Sequence, residues 1–159
     1  MKTVAADLLT TIENATPLLL AISDVEAAIK PNPEKWSCKE VIGHLIDSAC
    51  NNQQKFVRTI QKDGEKFPPY EQEKWVAIQK YNDAEWNELI SLWSQYNKHI
   101  AHIIKHIPDE ALPNELHIGG KGPFTLDFIV RDYPEHMKHH LKQIIPDAPF
   151  LNNNFKMVY

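Results

Sequence analysis

The chain has 159 residues, with 17 basic and 21 acidic side chains and a formal net charge of −4. That length suits one domain over residues 1–159, with roughly 68–70% of the unfolded surface buried on folding. The acidic balance and the lack of a basic stripe exclude an electrostatic nucleic-acid binder. No apolar run approaches the roughly 20 residues of a membrane helix. The first twenty residues carry Asp7, Glu13 and Asn14 where a signal peptide needs an apolar stretch. The expectation is a cytoplasmic protein with neither nucleic acid nor membrane as partner.

The first helical stretch is expected over residues 3–29. Leu8, Leu9, Ile12, Leu18, Leu19, Ile22, Val25 and Ile29 approximate one apolar face. Pro17 predicts a kink or restart inside it. Ser23 and Glu26 have the spacing of a capping box that opens a last short segment, and Pro31 and Pro33 stop it. Ser37 and Glu40 form a second candidate capping box, opening the second helix. Val41, Leu45, Ser48, Asn52 and Phe56 continue its stripe, flanked by Ile42, Ile46, Ala49 and Val57. The two cysteines, Cys38 and Cys50, both lie on this helix. Twelve residues of helix separate them by about 18 Å, so they cannot pair.

Gly64 and Pro68-Pro69 mark the end of the second helix. The next twenty or so residues, KDGEKFPPYEQEKWVAIQKY, are long enough for a crossover along a bundle, and a connection of that length in a compact domain is often functional. A third helix is expected over residues 83–106, with Asp83 as N-cap and Trp86, Leu89, Ile90, Trp93, Tyr96, Ile100, Ile103 and Ile104 on its apolar face. HIGGKGPFT reads as a tight glycine-rich turn, with short β pairing as an option. It is no phosphate loop, because GGKG lacks the following Ser or Thr and the preceding strand. A fourth helix is expected from the N-cap Thr125 to just before Pro146, with Phe128, Ile129, Met137, Leu141, Ile144 and Ile145 in its core face. Pro134 should bend it and free the carbonyl of Val130.

His136 and His140, four residues apart, stand one above the other on a single face of the fourth helix. Two imidazoles so placed can bind one metal ion, and His44 of the second helix would complete a three-nitrogen site with open positions. The HLID and DYPEH segments put polar residues where an apolar stripe should continue, which is costly unless those groups have partners. Asp132 shares the face of His136 and is placed to accept its outer ring N–H. Asp47 could do the same for His44 or reach the metal. His99, His102 and His106 read as a solvated face of the third helix, and His139 points about 100° away from His140. Trp86 and Trp93 read as core, whereas Trp36 and Trp75 flank the mouth of the bundle.

Together, KWSCKEVIGHLIDSACNNQQKFVR, YEQEKWVAIQKYN and FTLDFIVRDYPEHMKHHLKQI resemble the DinB/YfiT-like superfamily over residues 30–145. The resemblance implies an all-α four-helix bundle of up-down-down-up topology with a long crossover between helices two and three. It maps one metal-ligating histidine of the second helix and the HxxxH pair of the fourth onto His44, His136 and His140. It further implies a homodimeric metal-dependent enzyme holding zinc or nickel, or iron, and acting on a small-molecule substrate. Such a site activates water in a hydrolase, or a low-molecular-weight thiol in an S-transferase. Asp47 and Glu71 of the crossover are the candidate bases, and Asn52, Gln53 and Gln79 candidate pocket contacts. The alternative is a non-catalytic metal- or ligand-binding dimeric module of a stress response.

Overall fold

Four long helices pack against one another; the crossover between the second and third carries one short strand and a short helix, and that strand pairs with a hairpin set between the third and fourth. The structure is a computed structural model that describes residues 1–152 and Phe155. Helix α1 spans Lys2–Leu20 and buries Ala5, Leu8, Ile12, Ala15 and Leu19 along one stripe. Pro17 lies near its C-terminal end, and the helix runs on past it to Leu20. The restart comes at α2, Asp24–Ala28, opened by the predicted capping box: the Ser23 N–H donates to Glu26 Oε2 at 3.0 Å, and the Glu26 N–H donates to Ser23 Oγ at 3.3 Å. The break between α1 and α2 resets the helical phase, so a stripe counted straight through it fails. Val25 and Ile29, beyond the break, are 74% and 62% exposed, whereas Leu18, before it, lies on the solvent side of α1 beside the buried Leu19.

The second predicted helix is α3, Cys38–Gln61, capped by Ser37 and Glu40 as the spacing implies. Helix α5, Trp86–Lys105, begins later than expected. Asp83 lies in a single 3-10 turn, Tyr81–Asp83, and is not its N-cap. The first amide of α5, Trp86 N–H, donates instead to the Asp24 carboxylate of α2 at 2.8 Å. An orphan donor at a helix start is thus satisfied from a distant element, which no local motif could announce. Helix α6, Leu126–Leu141, has the predicted N-cap: Thr125 Oγ1 accepts from Phe128 N–H at 3.2 Å. Pro134 sits inside α6 and is buried there. Phe128 is partly exposed, and Ile144 and Ile145 lie beyond the helix, half-buried against the core.

Helix α1 packs against α5 and α6, and α3 packs against the same two. Trp86 and Trp93 fill the centre, as predicted, with Leu8, Ile12, Leu19, Ile90, Ile100 and Ile104 around them. Among the described residues no helix is long and apolar enough to cross a membrane. Cys38 and Cys50 are both free.

The all-α expectation needs one correction. Three short strands, β1 (Glu65–Phe67), β2 (Glu115–Ile118) and β3 (Lys121–Thr125), form a sheet in that order. Strand β1 pairs parallel with β2, and β2 pairs antiparallel with β3. Segments of three to five residues are too short to show a period of two; the β2–β3 hairpin falls on HIGGKGPFT, where short β pairing was an option, whereas β1 had no signal. Gly119 and Gly120 turn the hairpin at φ +59° and +81°, values that L side chains avoid. The parallel pairing anchors the crossover, and Gly119 packs against Pro69. From there the chain passes through Tyr70 into α4, Gln72–Gln79, which lies along α3.

Candidate metal centre

The seam between α3 and α6 is polar where the rest of the core is apolar. His44, Ser48, Asn52 and Lys55 recur on α3 at helical spacing, and all four are buried. Asp132, His136 and His140 recur every four residues on α6. The two rows face one another and bring three imidazoles together. His44 Nε2 and His136 Nε2 are 3.4 Å apart. One nitrogen from each of His44, His136 and His140 lies within 4.8 Å of the other two. The ring centroids are separated by 4.5, 4.6 and 5.3 Å.

Burial keeps these rings neutral. It pushes His44 down from the ordinary 6.5 to about 4. His140 falls to about 3, through burial first and then repulsion from His44 and His139. His136 is likewise held well below its ordinary range by burial, with His140, His44, His139 and Lys55 adding repulsion. A neutral imidazole offers one lone pair, and this is the form that binds a transition metal. Three such nitrogens converging in a buried space therefore fit a divalent transition metal by the chemistry of the donor set.

The outer ring nitrogens have different surroundings. His136 Nδ1 faces Ser48 Oγ at 3.4 Å, and Ser48 Oγ accepts from Asn52 Nδ2 at 3.2 Å. His140 Nδ1 faces Gln143 Nε2 at 3.3 Å. His44 Nδ1 is buried without a hydrogen-bond partner. Aromatic rings enclose the cluster: Trp36 lies 5.0 Å from His44, Tyr70 stacks on His44 at 6.5 Å, and Phe155 meets His136 at 5.3 Å. Beside His136 and His140 opens a cavity of about 470 Å³, whose wall also includes Ser48, Asn52, Lys55, Tyr70, Asp132 and Tyr133.

A sequence model of the DinB superfamily matches residues 7–144. The chain belongs to the DinB superfamily. A solved structure of YfiT from Bacillus subtilis, described as a probable metal-dependent hydrolase with an unusual four-helix bundle topology, is similar in fold. It superimposes with a TM-score of 0.74 at 18% sequence identity, over 91% of this chain and 82% of that one. No curated protein matches the chain.

In this DinB-superfamily chain the three predicted histidines meet, and the two candidate bases stand apart from each other. Asp47 is buried beneath the crossover, where Oδ1 accepts from Tyr81 Oη and from Gln79 Nε2, both at 2.7 Å. Burial raises its pKa, against the lowering effect of those two hydrogen bonds. Asp47 does not orient His44 as the sequence suggested: the His44 Nδ1 has no partner, and Asp47 is engaged on the Tyr81 side of α3. Glu71 lies exposed on the cavity wall, paired with Lys74 at 2.8 Å. Of the other candidate contacts, Asn52 lines the cavity, Gln79 holds Asp47, and Gln53 accepts from Tyr96 Oη at 2.6 Å.

Sequence reasoning named Asp132 as support for His136 and passed over Ser48, whose Oγ faces His136 Nδ1 at 3.4 Å. The signal was present in the spacing of four from His44 to Ser48, which puts both on one face of α3. Lys55, which no sequence motif singles out, is buried in the cavity wall. Its eleven-residue offset from His44 is three turns of helix, so it shares the histidine's face. His99, His102 and His106 are exposed on α5, as expected. Trp36 does flank the mouth, whereas Trp75 packs one ring further out, against Tyr70 at 5.1 Å.

Proposed function

We propose that the chain is a metal-dependent hydrolase acting on a small-molecule substrate bound in the cavity beside His136 and His140. The observation that carries this reading is the meeting of three imidazoles, His44 and His140 buried and His136 partly so, beside a cavity of about 470 Å³ that His136 and His140 line. His44, His136 and His140 would hold the ion. Zinc and nickel suit three such nitrogens best, and iron is also compatible. When bound, the ion supplies Lewis acidity that lowers the pKa of water, or of a thiol, towards neutrality. The described function of the fold neighbour YfiT agrees with the hydrolytic form.

The chain's own residues have distinct tasks in this account. Ser48, held by Asn52, accepts the outer N–H of His136 and so fixes the tautomer that leaves Nε2 free to ligate. Trp36, Tyr70 and Phe155 keep bulk water from the rings. Glu71, on the cavity wall and paired with Lys74, would be the group that takes a proton from the attacking species. Asp47 acts through Tyr81 and Gln79, positioning the crossover that carries Tyr70 over His44.

A thiol-dependent transferase is the second reading, supported by a cavity large enough for a cosubstrate beside the substrate. The up-down-down-up topology, a homodimeric assembly and a cytoplasmic location belong to the same proposal. The topology is supported by Asp24, just after α1, reaching both Lys39 at the start of α3 and the Trp86 N–H at the start of α5.

The test is a screen of zinc-, nickel- and iron-loaded protein against esters, amides and electrophilic halides, with and without low-molecular-weight thiols. Turnover without thiol establishes the hydrolase, and turnover only with thiol establishes the transferase. No turnover in any loaded form overturns both and leaves a non-catalytic metal-binding module.

A further inference from the structure

Three of the histidines outside the metal centre stand on one face of α5: His99, His102 and His106, all exposed. His102 and His106 are the two that approach each other. They lie four residues apart at the C-terminal end of the helix, with ring centroids 4.4 Å apart. The buried pair His136 and His140, also four apart, has its centroids at 4.6 Å. His99 stands further off, stacked on His102 at 6.5 Å.

The helix end sets the tautomer of His106. Its backbone N–H donates to Ile103 O at 2.9 Å, away from the usual i−4 carbonyl, which is that of His102. His106 Nδ1 lies 2.7 Å from the His102 carbonyl oxygen instead. A carbonyl can only accept, so Nδ1 carries a proton, and in the neutral ring Nε2 keeps its lone pair. A ring N–H held by a backbone carbonyl is also the usual support of a metal-ligating histidine. The bond ties the ring to the last turn, so less rotamer freedom is lost when Nε2 takes a ligand.

The place suits a cation. The last carbonyls of α5 put partial negative charge beside both rings. Lys98 and Lys105 lie on the same helix, so net charge does not draw the ion in, and nitrogen lone pairs must hold it. Such donors take zinc, nickel or copper and reject magnesium and calcium, which prefer oxygen. Among the described residues the one converging group of three or more ligand residues is His44, His136 and His140. The pair on α5 therefore offers two nitrogens, with water at the remaining positions.

We infer that His102 and His106 form a second transition-metal site, open to solvent, for zinc, nickel or copper. It shares no residue with the buried centre and does not depend on it. With two protein ligands in place of three it is the weaker site, and desalting in the presence of a chelator empties it first.

The test is calorimetric titration of the metal-free full chain with zinc. The native chain should take up two ions in two steps, the second at least about tenfold weaker because it has one imidazole fewer. His102→Gln and His106→Gln should each lose the second step and keep the first. Both replace exposed side chains, and unchanged circular dichroism would confirm that the helix persists. His99→Gln should change neither step. His44→Ala should lose the first step and keep the second. Magnesium and calcium should give no heat at the second step. Uptake by the native chain that stops at one ion, removed by His44→Ala, overturns the inference. So does a second step that survives unweakened in either His102→Gln or His106→Gln. A native chain that binds one ion, lost in His102→Gln and kept in His44→Ala, would uphold this site and overturn the buried one.

Discussion

The seam between α1 and α5 and the seam between α3 and α6 belong to the same bundle and are built on opposite principles. In the first, Leu8, Ile12 and Leu19 meet Trp86, Ile90, Trp93 and Ile100, and packing is the whole content. Trp86 Nε1 there donates to Leu19 O at 2.9 Å and Asn97 Nδ2 to Trp93 O at 2.8 Å, although the buried Trp93 Nε1 has no hydrogen-bond partner. In the second, four buried polar side chains of α3 face three on α6, and the buried His44 Nδ1 and Asn52 Oδ1 have no hydrogen-bond partner. The contrast teaches where stability comes from and where it is given up. The apolar seam holds the fold, and the polar seam carries a cost that a bound ion and ligand would offset.

This contrast can be broken by experiment. The largest effect should come from the apolar seam: Trp93→Ala should lower unfolding stability by about 3–5 kcal/mol in urea titration, as large core truncations do. Metal stoichiometry of the folded fraction should not change. Next comes acid. Free imidazoles take up protons as the pH falls through 6.5, whereas His44 resists until about 4 and His140 until about 3. Between those limits the unfolded chain binds more protons, so stability is full above 6.5 and falls as the pH drops towards 3. For His44 alone the loss is on the order of 3 kcal/mol. Urea titrations of metal-free protein from pH 7 to pH 4 would show it, and a flat profile would mean that the three rings are not buried neutral.

Gly43→Ala should have an intermediate effect. A Cβ there would lie 2.1 Å from the Tyr81 ring, so Tyr81 must move and loosen its grip on Asp47. Overpacking of this kind costs about 1–3 kcal/mol, readable as a lowered thermal midpoint. The smallest change in stability, and a selective one, is expected for Ser48→Ala. Metal affinity should weaken about tenfold or more in a chelator competition, while the urea midpoint stays nearly constant.

Much of the fold was legible because the signals are local. The capping boxes at Ser23 and Ser37, the N-cap Thr125 and the spacing of Trp86 and Trp93 were read correctly from a few residues each. What escaped depends on distant partners. The start of α5 is set by Asp24, more than sixty positions away in sequence. The sheet depends on β1 meeting β2 across the whole of α5. The same division runs through the site. His136 and His140 announce themselves by a spacing of four on one helix, and the resemblance supplied His44. Lys55 looked like any surface lysine, because exposure is decided by the tertiary contact of α3 with α6 and not by its neighbours in sequence.

The account turns on whether His44, His136 and His140 hold an ion. Elemental analysis of protein purified without a histidine tag, for the native chain beside His44→Ala and His136→Ala, tests this most directly. The account predicts one divalent transition-metal ion per native chain and loss of nearly all of it in both folded variants. Native protein that takes up no ion after loading, or variants that keep the native metal content, would contradict it.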